Sequence, residues 1–128
     1  MKKIYRVKSD RDFQQVYHHG RSTANRQLVI YTFEKSKQKH FRVGLSVGKK
    51  LGNAVVRNQI KRYLRQALFE VRHAIQPEID FLLIARRDIV GKSFFEVKQS
   101  LIHVMKRAGV FDHQLLTQDT GGQNEVKS

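Results

Sequence analysis

The chain contains no cysteine. That excludes disulfides, thiolate zinc sites and a cysteine nucleophile, and it fits a reducing compartment. No apolar run approaches the roughly 18 residues of a membrane-spanning helix. The opening MKKIYRVKSDRDF carries lysines but no apolar stretch of the kind a signal peptide needs, so the chain is expected to stay in the cytosol, away from membranes. Acids are scarce: 11 Asp and Glu stand against 25 Lys and Arg, a formal charge of +14 with the six histidines neutral. Such an excess does not encode a fold. It predicts a polyanionic partner, and with no membrane segment in view nucleic acid is favoured over anionic lipid. At 128 residues the chain is long enough for one modest core and too short for two.

Catalytic constellations are also missing. The histidines, at 18, 19, 40, 73, 103 and 113, fall in no metal-ligand spacing, and no HExxH motif occurs. The carboxylates are scattered, which argues against a self-contained two-metal nuclease site. Any bond-breaking chemistry is therefore expected to come largely from the partner.

Periodicity supplies the elements. SDRDFQQVYHHG reads as a short helix, with Ser9 as cap, Asp12 completing a capping box and Gly20 as the stop. QLVIYTF and FRVGLSV read as strands, expected to form an antiparallel pair. Residues 21 to 33 fit one bent strand or two. Helical spacing starts after Asn53 and ends before Pro77, and IDFLLIA is an unbroken apolar run suited to a strand covered on both faces. SFFEVKQSLIHVMKRAG opens on a second capping box, Ser93 and Glu96, and closes at Gly109. This order predicts an α+β sandwich, a small sheet with helices packed on it. The domain is placed at residues 1–113, with 114–128 a disordered tail that has nothing to bury.

On a helix over 54–75, Val56, Ile60, Tyr63, Leu64, Ala67, Leu68 and Val71 share one side. Arg57, Asn58, Lys61, Arg62, Arg65 and Arg72 fall within an arc of roughly 140° on another. Arg57, Lys61 and Arg65 stack four residues apart with no acid among them, so they repel by a few tenths of a kcal/mol per pair. A merely solvated face would mix signs; this one asks for an external anion. Just before it, Lys49 and Lys50 sit in GKKLGN, whose glycines let a backbone approach a ligand and whose following helix, capped at Asn53, presents N–H groups suited to phosphate. Taken alone, that motif is equally a strand-to-helix turn with incidental lysines. Phe13, Tyr17 and Tyr31 are candidate stacking rings for single-stranded bases. Core packing explains the same three rings, and residue arithmetic does not separate the two.

GLSVGKKLGNAVVRNQIKRYLRQ resembles the signature of the bacterial ribonuclease P protein family, and DFQQVYHHG, ANRQLVIYTF and DFLLIARR resemble its flanks in the right order. The resemblance spans roughly residues 1 to 111. It implies a small mixed sheet of about four strands with three helices, like the second domain of ribosomal protein S5. It also implies a left-handed strand-helix-strand crossover, against the right-handed form found in about 98% of such units. It further implies a catalytic RNA subunit as partner, precursor tRNA as substrate, and 5′ leader removal that depends on Mg2+ held mainly by the RNA. Residue by residue, Lys49, Lys50, Asn53, Arg57, Asn58, Lys61, Arg62 and Arg65 match the surface that contacts the RNA subunit. Phe13, Tyr17 and Tyr31 match the cleft for the leader, with Tyr17 where Phe is common. The alternatives are a ribosomal-protein-like or RNA-chaperone module, then a protein-only nuclease, then a DNA binder, for which no helix-turn-helix spacing is present.

Overall fold

The structure, a computed structural model, describes residues 5–7 and 9–112. Residue 113 and the expected tail lie outside them. The elements run α1 (Asp10–His19), β1 (Arg21–Ala24), β2 (Leu28–Glu34), β3 (Arg42–Ser46), α2 (Ala54–Val71), β4 (Ile79–Ala85) and α3 (Phe94–Arg107). Residues 21 to 33 therefore form two strands. Asn25 divides them, because its Oδ1 accepts the N–H groups of Gln27 and Leu28 at 3.0 and 2.8 Å, an Asx turn.

The sheet order is β1-β2-β4-β3. β2 pairs antiparallel with β1 and β4, while β3 runs parallel to β4. The expected antiparallel pairing of β2 with β3 is thus incorrect. Residues 35–41 connect them by a polar excursion rather than a tight turn, and β4, the most apolar strand, takes the central place between them. Six of its seven residues are buried. A strand with two apolar faces gains most where both are covered.

Three layers result. One sheet face, carrying Leu28, Ile30, Val43, Phe81 and Leu83, shares a single core with Ile60, Leu64, Ala67, Leu68 and Val71 of α2 and Val97, Leu101, Val104 and Met105 of α3. Each such large side chain contributes about 1.5–3 kcal/mol on burial. The capping box of α3 forms in full, with Ser93 N–H donating to Glu96 Oε1 at 3.0 Å and Glu96 N–H to Ser93 Oγ at 3.2 Å. α1 crosses the opposite face, packing on β2 and β4 with Val16 fully buried.

Candidate nucleic-acid interface

Strand register divides the face under α1 into three rows of directly paired residues. The first joins Phe33, Asp80 and Arg42; the second Ser22, Tyr31, Leu82 and Gly44; the third Ala24, Val29, Ile84 and Ser46. Rows lie two residues apart, about 7 Å.

α1 is fastened over the first row. Arg42 makes a two-pronged contact with the fully buried Asp80, Nε to Oδ1 at 2.9 Å and Nη2 to Oδ2 at 2.5 Å. Its Nη1 lies 3.3 Å from Asp12 Oδ2, and Lys35 Nζ lies 3.5 Å from the other Asp12 oxygen. The hydrogen bond that Arg42 donates to Asp80 holds the Arg42 pKa above its ordinary value. Burial pushes the Asp12 carboxyl up, but the Ser9 hydrogen bond and the charges of Arg42 and Lys35 outweigh it and leave the pKa lowered. The capping box expected at α1 is consequently only half made. Ser9 Oγ accepts the Asp12 N–H at 3.1 Å, while the Asp12 carboxylate engages the Ser9 side chain, Arg42 and Lys35 rather than the Ser9 backbone N–H.

Over the second row lie the rings. Tyr17 and Tyr31 have centroids 5.1 Å apart, inclined at 45°, and Tyr17 is 47% exposed. Phe13 is half-buried against Gly44: a Cβ on that glycine would stand 2.8 Å from Phe13 Cε2 and 2.8 Å from Leu82 Cδ2. Phe13 thus packs on the sheet while part of its ring stays exposed. The third row remains half-exposed at Val29, Ile84 and Ser46.

Beyond the third row lies the sheet end where β1, β3 and β4 finish and β2 begins. Lys49 and Lys50 are exposed there in a short 3-10 turn, followed by Gly52 at φ 146°, a backbone conformation that favours glycine. Asn53 caps α2, its Oδ1 accepting the Val56 N–H at 3.0 Å. Arg57 donates Nε to the Gly52 carbonyl at 3.2 Å. Asn58 and Arg62 are exposed, with Lys61 and Arg65 half-exposed. Among the described residues none of these cations forms an ion pair; the one acid of α2, Glu70, is taken by Lys98 at 2.7 Å. Arg72 departs from the row, lying 4.0 Å over the Phe69 ring and donating to its carbonyl at 2.6 Å. A ring-lined platform with an uncompensated cationic rim suits single-stranded nucleic acid.

The family model for Ribonuclease P matches residues 1–109. The chain belongs to the ribonuclease P protein family. It is 50% identical over 115 residues to the ribonuclease P protein component of Geobacillus sp. strain WCH70, covering 90% of this chain and 99% of that one. With the Listeria monocytogenes serovar 1/2a counterpart it shares 54% over 106 residues, 83% of this chain and 89% of that one. Among solved structures, the Staphylococcus aureus RNase P protein superposes with a TM-score of 0.78 at 44% identity, covering 84% of this chain and 98% of that one. The Thermotoga maritima protein gives 0.73 at 26%, covering 80% and 96%. Membership makes this chain an RNA-binding subunit of a tRNA-processing ribonucleoprotein.

Sequence reasoning assigned no role to Arg26, Arg86 and Arg107, which gather at the same sheet end. The signal was ARR directly after a buried strand, because cations at a strand's carboxyl end emerge together at one edge of the sheet. As for metal, no three His, Asp or Glu side chains converge among the described residues.

Proposed function

We propose that this chain binds the catalytic RNA of ribonuclease P through Lys49, Lys50, Asn53, Arg57, Asn58, Lys61, Arg62 and Arg65. In the same reading it holds the 5′ leader of precursor tRNA against Phe13, Tyr17 and Tyr31, and so promotes endonucleolytic removal of that leader. The catalytic centre and the Mg2+ it uses belong to the RNA, and the assembly works in the cytoplasm. The observation that carries this reading is the α2 row itself. Arg57, Lys61 and Arg65 stand on successive turns with no carboxylate opposite them among the described residues, an arrangement that an RNA backbone neutralises.

Within the assembly the chain acts through position and charge. Arg and Lys on α2 displace counterions from RNA phosphates, which makes affinity fall as salt rises. The rings offer π-faces that every base shares, so the cleft would accept leaders of differing sequence, each stacked base contributing about 1–3 kcal/mol. The test is reconstitution of purified protein with the RNA subunit at physiological magnesium. Leader removal should be faster with the protein than without it. No acceleration would leave the ribosomal-protein-like or chaperone reading standing, and cleavage by the protein alone would point to a protein-only nuclease.

A further inference from the structure

α2 ends beside the start of β3, at the sheet end opposite Lys49 and Lys50. Its row of Arg57, Lys61 and Arg65 is continued one turn further by Phe69, a ring 43% exposed on the face that carries the cations. The Arg72 guanidinium lies 4.0 Å from the centroid of that ring, held by the bond from its Nη1 to the Phe69 carbonyl at 2.6 Å. The same guanidinium lines a hollow of about 290 Å³. Phe41 and Ile75, both buried, form its floor; Tyr5 and His40, both half-buried, form its walls; exposed Lys39 stands with Arg72 at its rim. The walls are fixed in place. Arg6 pairs with Val43 along the outer edge of β3, and the Tyr5 ring stacks on Phe41 with centroids 4.8 Å apart at 30° and lies 5.0 Å from the His40 ring. His40 Nδ1 donates to the Phe41 carbonyl at 3.2 Å. No carboxylate lines the hollow, and neither Lys39 nor Arg72 forms an ion pair among the described residues.

We propose that this hollow receives one unpaired nucleobase of the RNA subunit, stacked among Tyr5, His40 and the Arg72 guanidinium, with Lys39 on its phosphate. The proposal rests on the α2 row as the RNA-subunit surface and carries that surface to the far end of the helix. Unpaired RNA bases are splayed onto aromatic rings and guanidinium planes, the groups that meet here. A guanidinium stacked on one ring keeps its outer face and most of its N–H donors for a ligand. The volume lies at the lower end of the about 300–1,000 Å³ of small-ligand sites, which suits a single base and not a stacked run. Cations at the rim with no acid beside them are neutralised by the phosphate that a nucleotide brings. Continuity selects the RNA subunit over the leader. Arg57, Lys61, Arg65 and then Phe69 stand on successive turns of α2 and lead to Arg72. Phe41 and Ile75 belong to the core under α2 and α3, whereas Phe13 and Tyr17 sit on α1, across the sheet.

The experiment measures affinity of the full chain for the RNA subunit across a salt series, with precursor tRNA binding by the assembled holoenzyme as a second arm. Arg72→Lys keeps the charge and removes the flat face; Tyr5→Leu keeps an apolar contact with Phe41 and removes the ring. Each should weaken RNA-subunit binding about five- to hundredfold, the range of one stacked base, with the salt slope unchanged. Lys39→Ala, at an exposed position, should lower the slope by about 0.7, the value for one single-strand phosphate. In base-reactivity probing of the RNA subunit, an unpaired base that the parent chain protects should become reactive with Arg72→Lys, a local change that loss of packing alone would not produce. Parental affinity in Arg72→Lys or in folded Tyr5→Leu overturns the proposal, as does a loss confined to the precursor, which would assign the hollow to the substrate. Should Tyr5→Leu not fold, Arg72→Lys decides. The Arg57→Ala, Lys61→Ala, Arg65→Ala triple variant separates the two readings. If it loses RNA-subunit affinity while the hollow variants keep theirs, only the extension fails; if all keep it, the proposed RNA-subunit surface fails too.

Discussion

At one end of the sheet Arg42 and Lys35 are held by Asp80 and Asp12; at the other, Lys49, Lys50, Arg26 and Arg86 form no ion pair among the described residues. Both ends are built from the same strands. The difference lies in what each set of cations is for. A cation that fastens the fold is matched by a carboxylate of the same chain, because an unmatched charge taken out of water is costly. A cation left unmatched at the surface, or anchored only on a carbonyl, keeps its field for a ligand. With 25 basic residues and 11 acidic ones, most basic side chains must lack an acid of their own, so what marks the interface is where the acids are spent.

The sharpest way to break this comparison is Arg42→Ala. It would leave Asp80 as a buried, uncompensated carboxylate and should cost about 3–5 kcal/mol of stability in urea or thermal unfolding. Arg57→Ala, at the other end, should stay within about 0.5 kcal/mol of the parent. Similar stability losses for the two variants would erase the distinction between the ends.

A smaller effect is expected at the boundary between them. Phe13→Ala should weaken binding of leader-bearing precursor by about 1–3 kcal/mol and leave mature tRNA binding unchanged in equilibrium titrations. Equal losses for both RNAs would make Phe13 a packing residue only.

The smallest effect concerns acid. The lowered pKa of Asp12 means its stabilising contribution is present above its ordinary value of 3.8 and is lost as pH falls through the lower folded-state value. Glu70 behaves alike around 4.5, its carboxylate favoured first by the Lys98 hydrogen bond and then by Gln66. Asp12→Asn should therefore cost up to about 1 kcal/mol at neutral pH, since the pair is partly exposed. The difference from the parent should shrink in unfolding experiments at pH 3 and below. A difference that grows on acidification would contradict the assignment.

Much of this was legible in the residue order. The one-sided charge of α2, the double cover of β4 and the Ser93–Glu96 box depend on local spacing, and local spacing survives folding. Strand order was not legible. Which strand sits beside β2 depends on burying both faces of IDFLLIA, a property of the assembled sheet, so a hairpin of sequence neighbours was the natural but wrong expectation. Asp12 shows the same limit: its spacing from Ser9 satisfies a capping box, yet its carboxylate also meets Arg42, thirty residues away, a partner that no local spacing reveals. The arginine cluster draws on residues 26, 86 and 107, and only the register of β1, β2 and β4 brings them together.

The most direct measurement is the salt dependence of RNA-subunit affinity for the parent chain and for an Arg57→Ala, Lys61→Ala, Arg65→Ala triple variant. If these side chains neutralise RNA phosphates, the triple variant should keep its melting temperature, bind more weakly, and lose about 2 to 3 from the slope of log affinity against log salt, at roughly 0.7–0.9 per phosphate. An unchanged affinity and slope in a well-folded variant would contradict it.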